Sequence, residues 1–477
     1  MAQKITVIGA GPGGYIAAIR AAQLGAEVTL VEKERVGGTC LNWGCIPSKV
    51  LRATAEMLHR FKQVEAFGVA LEGTPTLDYH SLSARKDRVV QDQVKGIHGI
   101  LEHHRVRYLE GTAVIRGDRS ARVILPDGSH VDVSWDKLIL ATGSHPLDIP
   151  AFPFDGEIVL SSNHAFGLKE IPESLVIVGG GVIGCEFAMI FSAFGVKVTL
   201  VEALPRLLPL PSVDEACSKV LQREMKKQRI EFMVNRTVEK IEEAEGKCRA
   251  IIGPSPFAEG LKERDKKCLA RDVDKVLVCV GRKANTDGIG LETIGVKTDK
   301  KGWIVADEKL KTSVPGIYAI GDVLGPARPM LAHVASKEGL AAAENALGGE
   351  KSMTYHAVPG AVFTLPEVAD VGLTESQARE QGLPVRADSV LFRSIGKAHV
   401  IGEIAGEAKI VSDAETGRVL GVHIIGPHAS DLIAEGTLAV QTGCTVQDLA
   451  ETIHAHPTLP EIMMEVSLKA MDRSLHG

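Results

Sequence analysis

The chain has 477 residues, of which 45% are hydrophobic, 24% charged and 4% aromatic, and its formal net charge is −6. This length predicts about three domains, and the composition is that of a globular protein. The negative charge argues against nucleic acid and anionic membranes as partners, and no apolar run reaches the length of a transmembrane helix.

An apolar strand followed by a glycine-rich turn opens the chain. Residues 5–8 lead into Gly9, Gly11 and Gly14, a helix of small residues follows, and a second strand ends at Glu32. In such a unit the glycines let backbone N–H groups approach a pyrophosphate at the helix N-terminus, and the acidic residue binds ribose hydroxyls. The pattern predicts a dinucleotide-binding unit.

Two cysteines, Cys40 and Cys45, follow directly on this unit. In a helix, residues five apart are separated by less than two turns, so the two sulfurs can be bridged if the first turn opens slightly. Pro47 suits a first helical turn, and the positive end of the helix dipole would favour a thiolate there. A thiol pair beside a nucleotide cofactor predicts a reducible bridge that exchanges electrons with that cofactor.

Three other interpretations of the cysteine pair have weaker support. A structural disulfide suits secreted proteins, but the N-terminal residues run straight into a strand without a secretion signal. Half of a zinc site would need a second close pair, which the other cysteines do not form. An iron–sulfur spacing would need a further cysteine where Ser48 stands. Unpaired, scattered cysteines elsewhere suit a reducing compartment, so we expect a cytoplasmic protein.

The middle of the chain continues with a charged helix over about residues 81–104 and strands near 123–125, 131–133 and 138–140, the last of which leads to Gly143. The opening pattern then recurs from about residue 172. Gly179, Gly181 and Gly184 repeat the three glycines, and Glu202 repeats Glu32, each displaced by 170 positions. One such motif is weak evidence, whereas two with the same flanking elements strongly predict two dinucleotide-binding units.

Later segments extend this pattern. A strand over residues 275–280 leads to Gly281, and another near 317–320 leads to Gly321 and Asp322. From about residue 350, strands and helices alternate without a glycine fingerprint, which predicts a separate domain.

Four segments together resemble the pyridine nucleotide–disulfide oxidoreductase family over the whole chain: residues 37–49, 179–186, 312–322 and 452–461. The resemblance is closest to the branch that oxidises dihydrolipoamide. It implies an α/β fold with two Rossmann-like domains, for FAD and NAD, and a C-terminal α+β dimerisation domain. The implied boundaries are 1–148 for the FAD-binding domain with the redox disulfide, 149–274 for the NAD-binding domain, 275–348 for a central segment completing the FAD site, and 349–477 for the interface domain.

The resemblance also implies roles for individual residues. Cys45 would stack on the flavin and Cys40 would exchange with substrate, while Lys49 and Glu186 would form an ion pair near the flavin. His456 with Glu461 would supply the catalytic base, and His454 a supporting, structural part. FAD would be bound by Gly9, Gly11, Gly14, Glu32, Lys49, Gly143 and Asp322, and NAD by Gly179, Gly181, Gly184, Glu202 and Gly281.

The implied activity is oxidation of protein-bound dihydrolipoamide to lipoamide with reduction of NAD to NADH. The implied partners are a second copy of the chain and the lipoyl domains of 2-oxo-acid dehydrogenase complexes or the glycine-cleavage lipoyl protein, and no metal is expected. Among related enzymes, a mercuric-type reductase would be expected to carry a C-terminal cysteine pair, and a glutathione-type reductase to carry arginines where Glu202 and Ala203 stand. An NAD dehydrogenase without flavin and a non-catalytic assembly subunit remain alternatives from other classes, and protein colour and a turnover assay distinguish them.

Overall fold

The computed structural model describes residues 2–117, 119–244 and 247–476. Met1, Asp118, Glu245, Gly246 and Gly477 lie outside the described residues, and every predicted site residue lies within them. The chain forms two compact units. The first consists of Met1–Leu51, Asp78–Leu147 and Gly281–Tyr355, and the second of Arg52–Leu77, Asp148–Val280 and His356–Gly477.

The helices of the described residues are, in chain order, α1 (Pro12–Gln23), α2 (Gly38–Trp43), α3 (Cys45–Phe61), α4 (Tyr79–His103), α5 (Ser162–Ala165), α6 (Val182–Ala193), α7 (Glu215–Lys227), α8 (Ala332–Ala346), α9 (Glu375–Glu380), α10 (Gly396–Val400), α11 (Ala429–Thr442), α12 (Val446–Glu451) and α13 (Glu461–Ala470). Short 3-10 helices cover Val64–Phe67, Glu263–Lys266, Leu291–Ile294, Gly321–Leu324 and Phe392–Ser394.

The strands of the described residues are β1 (Lys4–Ile8), β2 (Glu27–Glu32), β3 (Arg107–Glu110), β4 (Thr112–Gly117), β5 (Ser120–Ile124), β6 (His130–Ser134), β7 (Lys137–Leu140), β8 (Ser144–Pro146), β9 (Val159–Ser161), β10 (Ser174–Val178), β11 (Lys197–Val201), β12 (Glu231–Met233), β13 (Arg236–Ala244), β14 (Lys247–Pro254), β15 (Leu269–Val273), β16 (Lys275–Val278), β17 (Arg282–Ala284), β18 (Ile317–Ala319), β19 (Gly360–Val362), β20 (Glu367–Gly372), β21 (Val385–Leu391), β22 (Glu407–Asp413) and β23 (Val419–Gly426).

A parallel sheet forms the centre of the first unit, with strand order β18-β7-β1-β2-β3. Its inner strands are continuous apolar runs because helices cover both faces of such a sheet. Helices α1 and α8 approach closely at glycines: a Cβ atom on Gly339 would lie 2.4 Å from the carbonyl oxygen of Gly13. Strand β1 lies between β2 and β7, so its carboxyl end is the point where the strand order reverses and where dinucleotides bind in such folds.

The second unit repeats this parallel arrangement in the order β12-β11-β10-β16-β9. Strand β16 opens the segment that was expected to complete the FAD site. It pairs in parallel with β10 of the second sheet, where Lys275–Val278 lie beside Leu175–Val178. The C-terminal part of this unit is an antiparallel sheet, β19-β20-β23-β22-β21, whose core includes apolar residues of α11 and α13. This α+β arrangement agrees with the predicted fold class.

Antiparallel elements complete the two units. The first unit adds the sheet β4-β5-β6 and the ribbon β8-β17, and the second adds the sheet β13-β14-β15. The charged helix predicted over about 81–104 is α4, which begins where the Asp78 side chain accepts a hydrogen bond from Ser81 N at 3.0 Å. Among the described residues, none of the helices is both long enough and apolar enough to span a membrane.

Candidate functional site

The two glycine-rich turns have the same backbone geometry. Gly9 and Gly179 have φ values of +100° and +103°, which glycine adopts without steric cost. A Cβ atom on Gly14 would lie 1.8 Å from the oxygen of Gly9, and one on Gly184 would lie 1.8 Å from the oxygen of Gly179. The outer two glycines of each motif are therefore required by packing of the turn itself.

The middle glycine of each motif has a different environment. A Cβ atom on Gly11 or Gly181 would meet no atom within 4 Å among the described residues. Each of these glycines is the N-cap of its helix, α1 or α6, and no side chain caps it. Helix N-terminal N–H groups that face open space suit a pyrophosphate, so both turns fit the predicted dinucleotides.

The acidic residue that ends each motif accepts hydrogen bonds from the backbone of its own turn. Glu32 accepts hydrogen bonds from Ala10 N at 2.6 Å and Glu34 N at 2.9 Å. Glu202 accepts the equivalent bonds from Gly180 N at 2.6 Å and Leu204 N at 2.8 Å. Burial raises the pKa of Glu32, although these backbone bonds oppose the shift. A carboxylate has about four acceptor positions, so both residues keep capacity for ribose hydroxyls.

The cysteine segment packs directly on the first glycine turn. Gly37 N donates to the oxygen of Ala10 at 2.8 Å. A Cβ atom on Gly38, which has φ +56°, would lie 2.7 Å from the Cα of Gly11. The two glycines therefore place α2, with Cys40, against the expected pyrophosphate position. Sequence reasoning did not assign this role to Gly37 and Gly38.

The predicted single helix with an opened first turn is wrong in one respect. Helix α2 ends at Trp43 and α3 begins at Cys45, with Gly44 between them at φ −146° and ψ −112°. A Cβ atom on Gly44 would lie 2.9 Å from the oxygen of Thr39, which explains why glycine breaks the helix here. The break places Cys45 at the start of α3, and Pro47 lies in the first turn of that helix, as predicted.

The two cysteine side chains interact as thiols. Cys40 is partly buried, and Cys45 is exposed. The pKa of Cys40 is raised well above its usual range, first by the hydrogen bond with the Cys45 side chain and then by burial, while the charge of Lys49 opposes the shift. The interaction between the two sulfur groups shows that they are neighbours, as a reducible pair requires.

Asp322 is held by a short chain of polar contacts in the first unit. Ser144 Oγ donates to Asp322 Oδ2 at 2.7 Å, and Arg282 Nε donates to Ser144 Oγ at 2.6 Å. Arg282 Nε lies 3.6 Å from the Asp322 carboxylate. Burial lowers the pKa of Arg282, and the charge of Asp322 opposes that shift. Sequence reasoning missed Ser144 and Arg282, although each directly follows a predicted site glycine, Gly143 or Gly281.

The loop before Ser144 offers an unpartnered polar atom. Thr142 Oγ1 is buried and has no hydrogen-bond partner among the described residues. A Cβ atom on the adjacent Gly143, at φ +70°, would meet no described atom within 4 Å. Since buried polar atoms are nearly always paired in the complete protein, this loop fits a polar ligand such as the predicted FAD.

In the second unit, the predicted base, His456, lies beside its predicted carboxylate partner, Glu461. His456 Nδ1 lies 2.8 Å from Glu461 Oε1, and Thr458 N donates to Glu461 Oε2 at 2.8 Å. Burial would raise the pKa of Glu461, but the bonds from His456 and Thr458 outweigh it and lower that pKa. An ionised carboxylate can only accept, so Nδ1 carries the proton and Nε2 is left as the basic nitrogen.

The two neighbouring histidines have different environments. The His456 side chain is 79% exposed, whereas that of His454 is 5% exposed. His454 uses both ring nitrogens, at 2.9 Å from Glu435 Oε1 and 2.9 Å from the oxygen of Thr452. This supports a structural part for His454 and leaves His456 accessible for the predicted role of base.

The remaining predicted site residues, Lys49, Gly281 and Glu186, are divided between the two units. Lys49 is in the first turns of α3 in the first unit, and Gly281 begins the return of the chain to that unit. Glu186, on α6 in the second unit, is buried and accepts a hydrogen bond from Phe363 N at 3.1 Å. The Lys49–Glu186 ion pair stays a prediction. No group of three or more metal-ligating side chains occurs in the part of the chain that the structure describes.

Comparisons with known proteins agree with this geometry. The family model described as pyridine nucleotide-disulphide oxidoreductase matches residues 3–339, and the model of its dimerisation domain matches residues 358–467. A dihydrolipoyl dehydrogenase of Chlamydia trachomatis is 41% identical, with 98% of this chain and 97% of that protein covered. One from Thermus scotoductus is 42% identical, with 99% and 98% covered.

Solved structures are similar over the same length. LpdA from Mycobacterium tuberculosis superposes with a TM-score of 0.88 at 27% identity, covering 98% of this chain and 99% of that one. The HOCl-induced flavoprotein disulfide reductase RclA from Escherichia coli gives 0.83 at 27% identity, covering 97% and 99%. With two matching family models, full-length relatives and a thiol pair packed on a dinucleotide turn, the chain belongs to the pyridine nucleotide–disulphide oxidoreductase family.

Proposed function

We propose that this protein oxidises protein-bound dihydrolipoamide to lipoamide and reduces NAD to NADH, with FAD as its resident cofactor. The observation that carries the proposal is the packing of the Cys40 helix on the first glycine turn through Gly37 and Gly38. This packing supports a thiol pair that exchanges electrons with a dinucleotide bound at that turn. Relatives named dihydrolipoyl dehydrogenase, at 41% and 42% identity over nearly the whole chain, support dihydrolipoamide as the substrate.

The thiol chemistry begins from the oxidised Cys40–Cys45 pair. His456 Nε2 takes a proton from one substrate thiol, and the resulting thiolate attacks Cys40 Sγ, which breaks the disulfide and leaves Cys45 as a thiolate. The second substrate thiol then passes its proton to the departing Cys40 sulfur as its own sulfur attacks the first, so Cys40 becomes a thiol and lipoamide leaves as a cyclic disulfide. Two electrons and two protons pass from the substrate to the enzyme.

Two residue sets would hold the cofactors. When bound, FAD would supply the acceptor for the electron pair of the dithiol, and NAD would supply the final hydride acceptor. We assign FAD to the Gly9–Gly14 turn, Glu32, Lys49, Gly143 and Asp322, and NAD to the Gly179–Gly184 turn, Glu202 and Gly281. The protein's own part is to fix the dinucleotides on helix N-termini, to orient Asp322 through Ser144, and to keep Lys49 and Glu186 near the flavin.

We further propose a homodimer in which His456 of one subunit serves the cysteine pair of the other. Residues 358–467 match the family's dimerisation domain, and Ile453, three positions before His456, is 96% exposed. A large apolar side chain exposed beside a catalytic base suits a surface that a second subunit covers. The proposed partners are lipoyl domains of 2-oxo-acid dehydrogenase complexes or the glycine-cleavage lipoyl protein, and the proposed location is the cytoplasm.

The decisive experiment compares substrates on one preparation of purified protein. NADH formation is measured with dihydrolipoamide and NAD, and NADPH oxidation is measured with glutathione disulfide. The proposal requires rapid turnover in the first assay and little in the second. If the protein is yellow but active only with glutathione disulfide, the substrate assignment is wrong and the family assignment stands. A colourless preparation that gains no colour with added FAD would refute the cofactor assignment.

A further inference from the structure

A buried carboxylate outside the predicted site lies behind the Asp322 turn. Glu338 is on α8 and is 1% exposed. Its Oε2 accepts a hydrogen bond from Gly321 N at 2.6 Å, and its Oε1 accepts one from the Tyr355 hydroxyl at 2.7 Å. Both oxygens are therefore engaged, one by the turn and one by a side chain.

The charge of Glu338 is only partly compensated. Arg328 is 4.0 Å from Glu338 Oε1 and donates to the Tyr355 hydroxyl at 3.2 Å. The guanidinium also donates to the backbone oxygens of Ala306 and Asp307, at 2.8 and 2.7 Å. Burying a carboxylate costs free energy unless strong partners hold it. Burial raises the pKa of Glu338, with the bonds from Tyr355 and Gly321 opposing the shift.

The bond to Gly321 reaches the residue that would contact FAD. Gly321 has φ +71° and begins the 3-10 turn that presents Asp322. Fixing the N–H of Gly321 fixes the peptide plane between Ile320 and Gly321, through which the chain enters the turn. A carboxylate acceptor makes this bond stronger than a neutral acceptor would. On its other side the Asp322 carboxylate is held by Ser144, so the turn is restrained from two directions.

We infer that Glu338 is a positioning residue for FAD: through Gly321 N it holds the turn that presents Asp322, and its negative charge makes the bound flavin harder to reduce. This inference rests on the proposed FAD binding at Asp322. Glu338 itself touches the turn rather than the cofactor.

The test compares Glu338→Gln with Glu344→Gln. Glu344 is on the same helix, and its partners are Arg20 and Lys351 rather than the Asp322 turn. Apoprotein of each variant is titrated with FAD, and the flavin midpoint potential is measured on the reloaded protein. We expect Glu338→Gln to weaken FAD binding by about 10- to 100-fold and to shift the potential to a more positive value. Glu344→Gln should stay within about 3-fold of the unchanged protein.

Two further measurements separate positioning from simple destabilisation. The urea midpoint of Glu338→Gln apoprotein should match that of the unchanged apoprotein, and a large fall that accounts for the lost FAD affinity would overturn the inference. Tyr355→Phe removes the other hydrogen bond to Glu338 and leaves the one from Gly321. We expect its FAD affinity to stay close to that of the unchanged protein, and a loss equal to that of Glu338→Gln would show that the effect does not pass through Gly321.

The result for the unchanged protein separates the two proposals. If it binds FAD and Glu338→Gln binds equally well with the same potential, the positioning role is refuted and the proposed function stands. If the unchanged protein fails to bind FAD, the proposed function fails and the inference fails with it.

Discussion

Replacing His456 by glutamine tests the proposed acid–base chemistry most directly. A dithiol is mostly protonated near neutral pH, so a group must accept the proton as sulfur attacks. In the structure, Glu461 Oε1 accepts from His456 Nδ1 at 2.8 Å and leaves Nε2 as the basic nitrogen. General-base assistance is typically worth about 10²–10⁴-fold, so His456→Gln should lose about that much dihydrolipoamide-dependent turnover.

The geometry predicts a smaller loss for the orienting carboxylate. Glu461 orients the neutral His456 ring through one hydrogen bond, and Glu461→Gln leaves the base itself in place. A single hydrogen bond typically contributes about 1 kcal/mol, which corresponds to about a 5-fold loss of turnover in Glu461→Gln. The pKa of Glu461 is lowered from its usual value near 4.5, so it stays ionised at neutral pH and loses its orienting role only as pH falls below that value.

The assay is steady-state NADH formation from dihydrolipoamide, run beside reduction of the bound flavin by NADH. The second reaction should survive in His456→Gln because that hydride step does not need this base. His476→Gln is the matched control, since His476 Nδ1 also lies 2.8 Å from a glutamate, Glu465, outside the motif. Near-normal dihydrolipoamide oxidation in His456→Gln, or an equal loss in His476→Gln, would refute the assignment of the base.

Four further predictions address other parts of the molecule. The enzyme should prefer NAD over NADP by at least about 10²-fold in kcat/KM, because Glu202 would repel a 2′-phosphate; similar efficiencies would contradict this. Cys40→Ser and Cys45→Ser should both lose turnover, but only Cys40→Ser should keep the long-wavelength absorbance of a thiolate beside oxidised flavin, and the opposite pattern would reverse the sulfur roles. Mixing inactive Cys45→Ser and His456→Gln chains should restore activity in heterodimers, and proven subunit exchange without recovery would exclude a shared site. Burial raises the pKa of Asp370 to about 7, so the folded state becomes less stable as pH rises from about 4 to 7, by at most about 4 kcal/mol, and Tm should fall over this range. Asp370→Asn should make Tm depend less on pH, and an unchanged dependence would contradict the assignment.

The two nucleotide turns could be predicted from sequence because their constraints are local. At Gly14 and at Gly184, a Cβ atom would clash with the carbonyl oxygen of the glycine five residues earlier. Only glycine fits there, so its presence in the sequence indicates the backbone geometry of the turn. The His456–Glu461 pair is equally local, since the two residues lie within one loop and the first turn of α13. Spacing along the chain was therefore enough to predict the turns, whereas the roles of His456 and Glu461 were implied by the family resemblance.

Contacts between distant segments could not be predicted in the same way. Ser144, Arg282 and Asp322 meet although the chain separates Ser144 from Asp322 by 178 positions. Glu338 appears in the sequence as an ordinary charged residue of a helix, and only the structure places its carboxylate on Gly321 N. The break at Gly44 was missed for a related reason, because a glycine between two helical cysteines fits a continuous helix and a broken one alike.

The internal repeat identifies one residue whose type the nucleotide turns do not explain. Helices α1 and α6 follow equivalent turns, yet α6 has Glu186 where α1 has Ile16. Glu186 is buried, and Phe363 N donates to it at 3.1 Å. The turn of the first fold forms without a carboxylate at this position, so the nucleotide turn does not determine the residue type here. The prediction that Glu186 acts near the flavin therefore accounts for a carboxylate that the second nucleotide turn does not itself need.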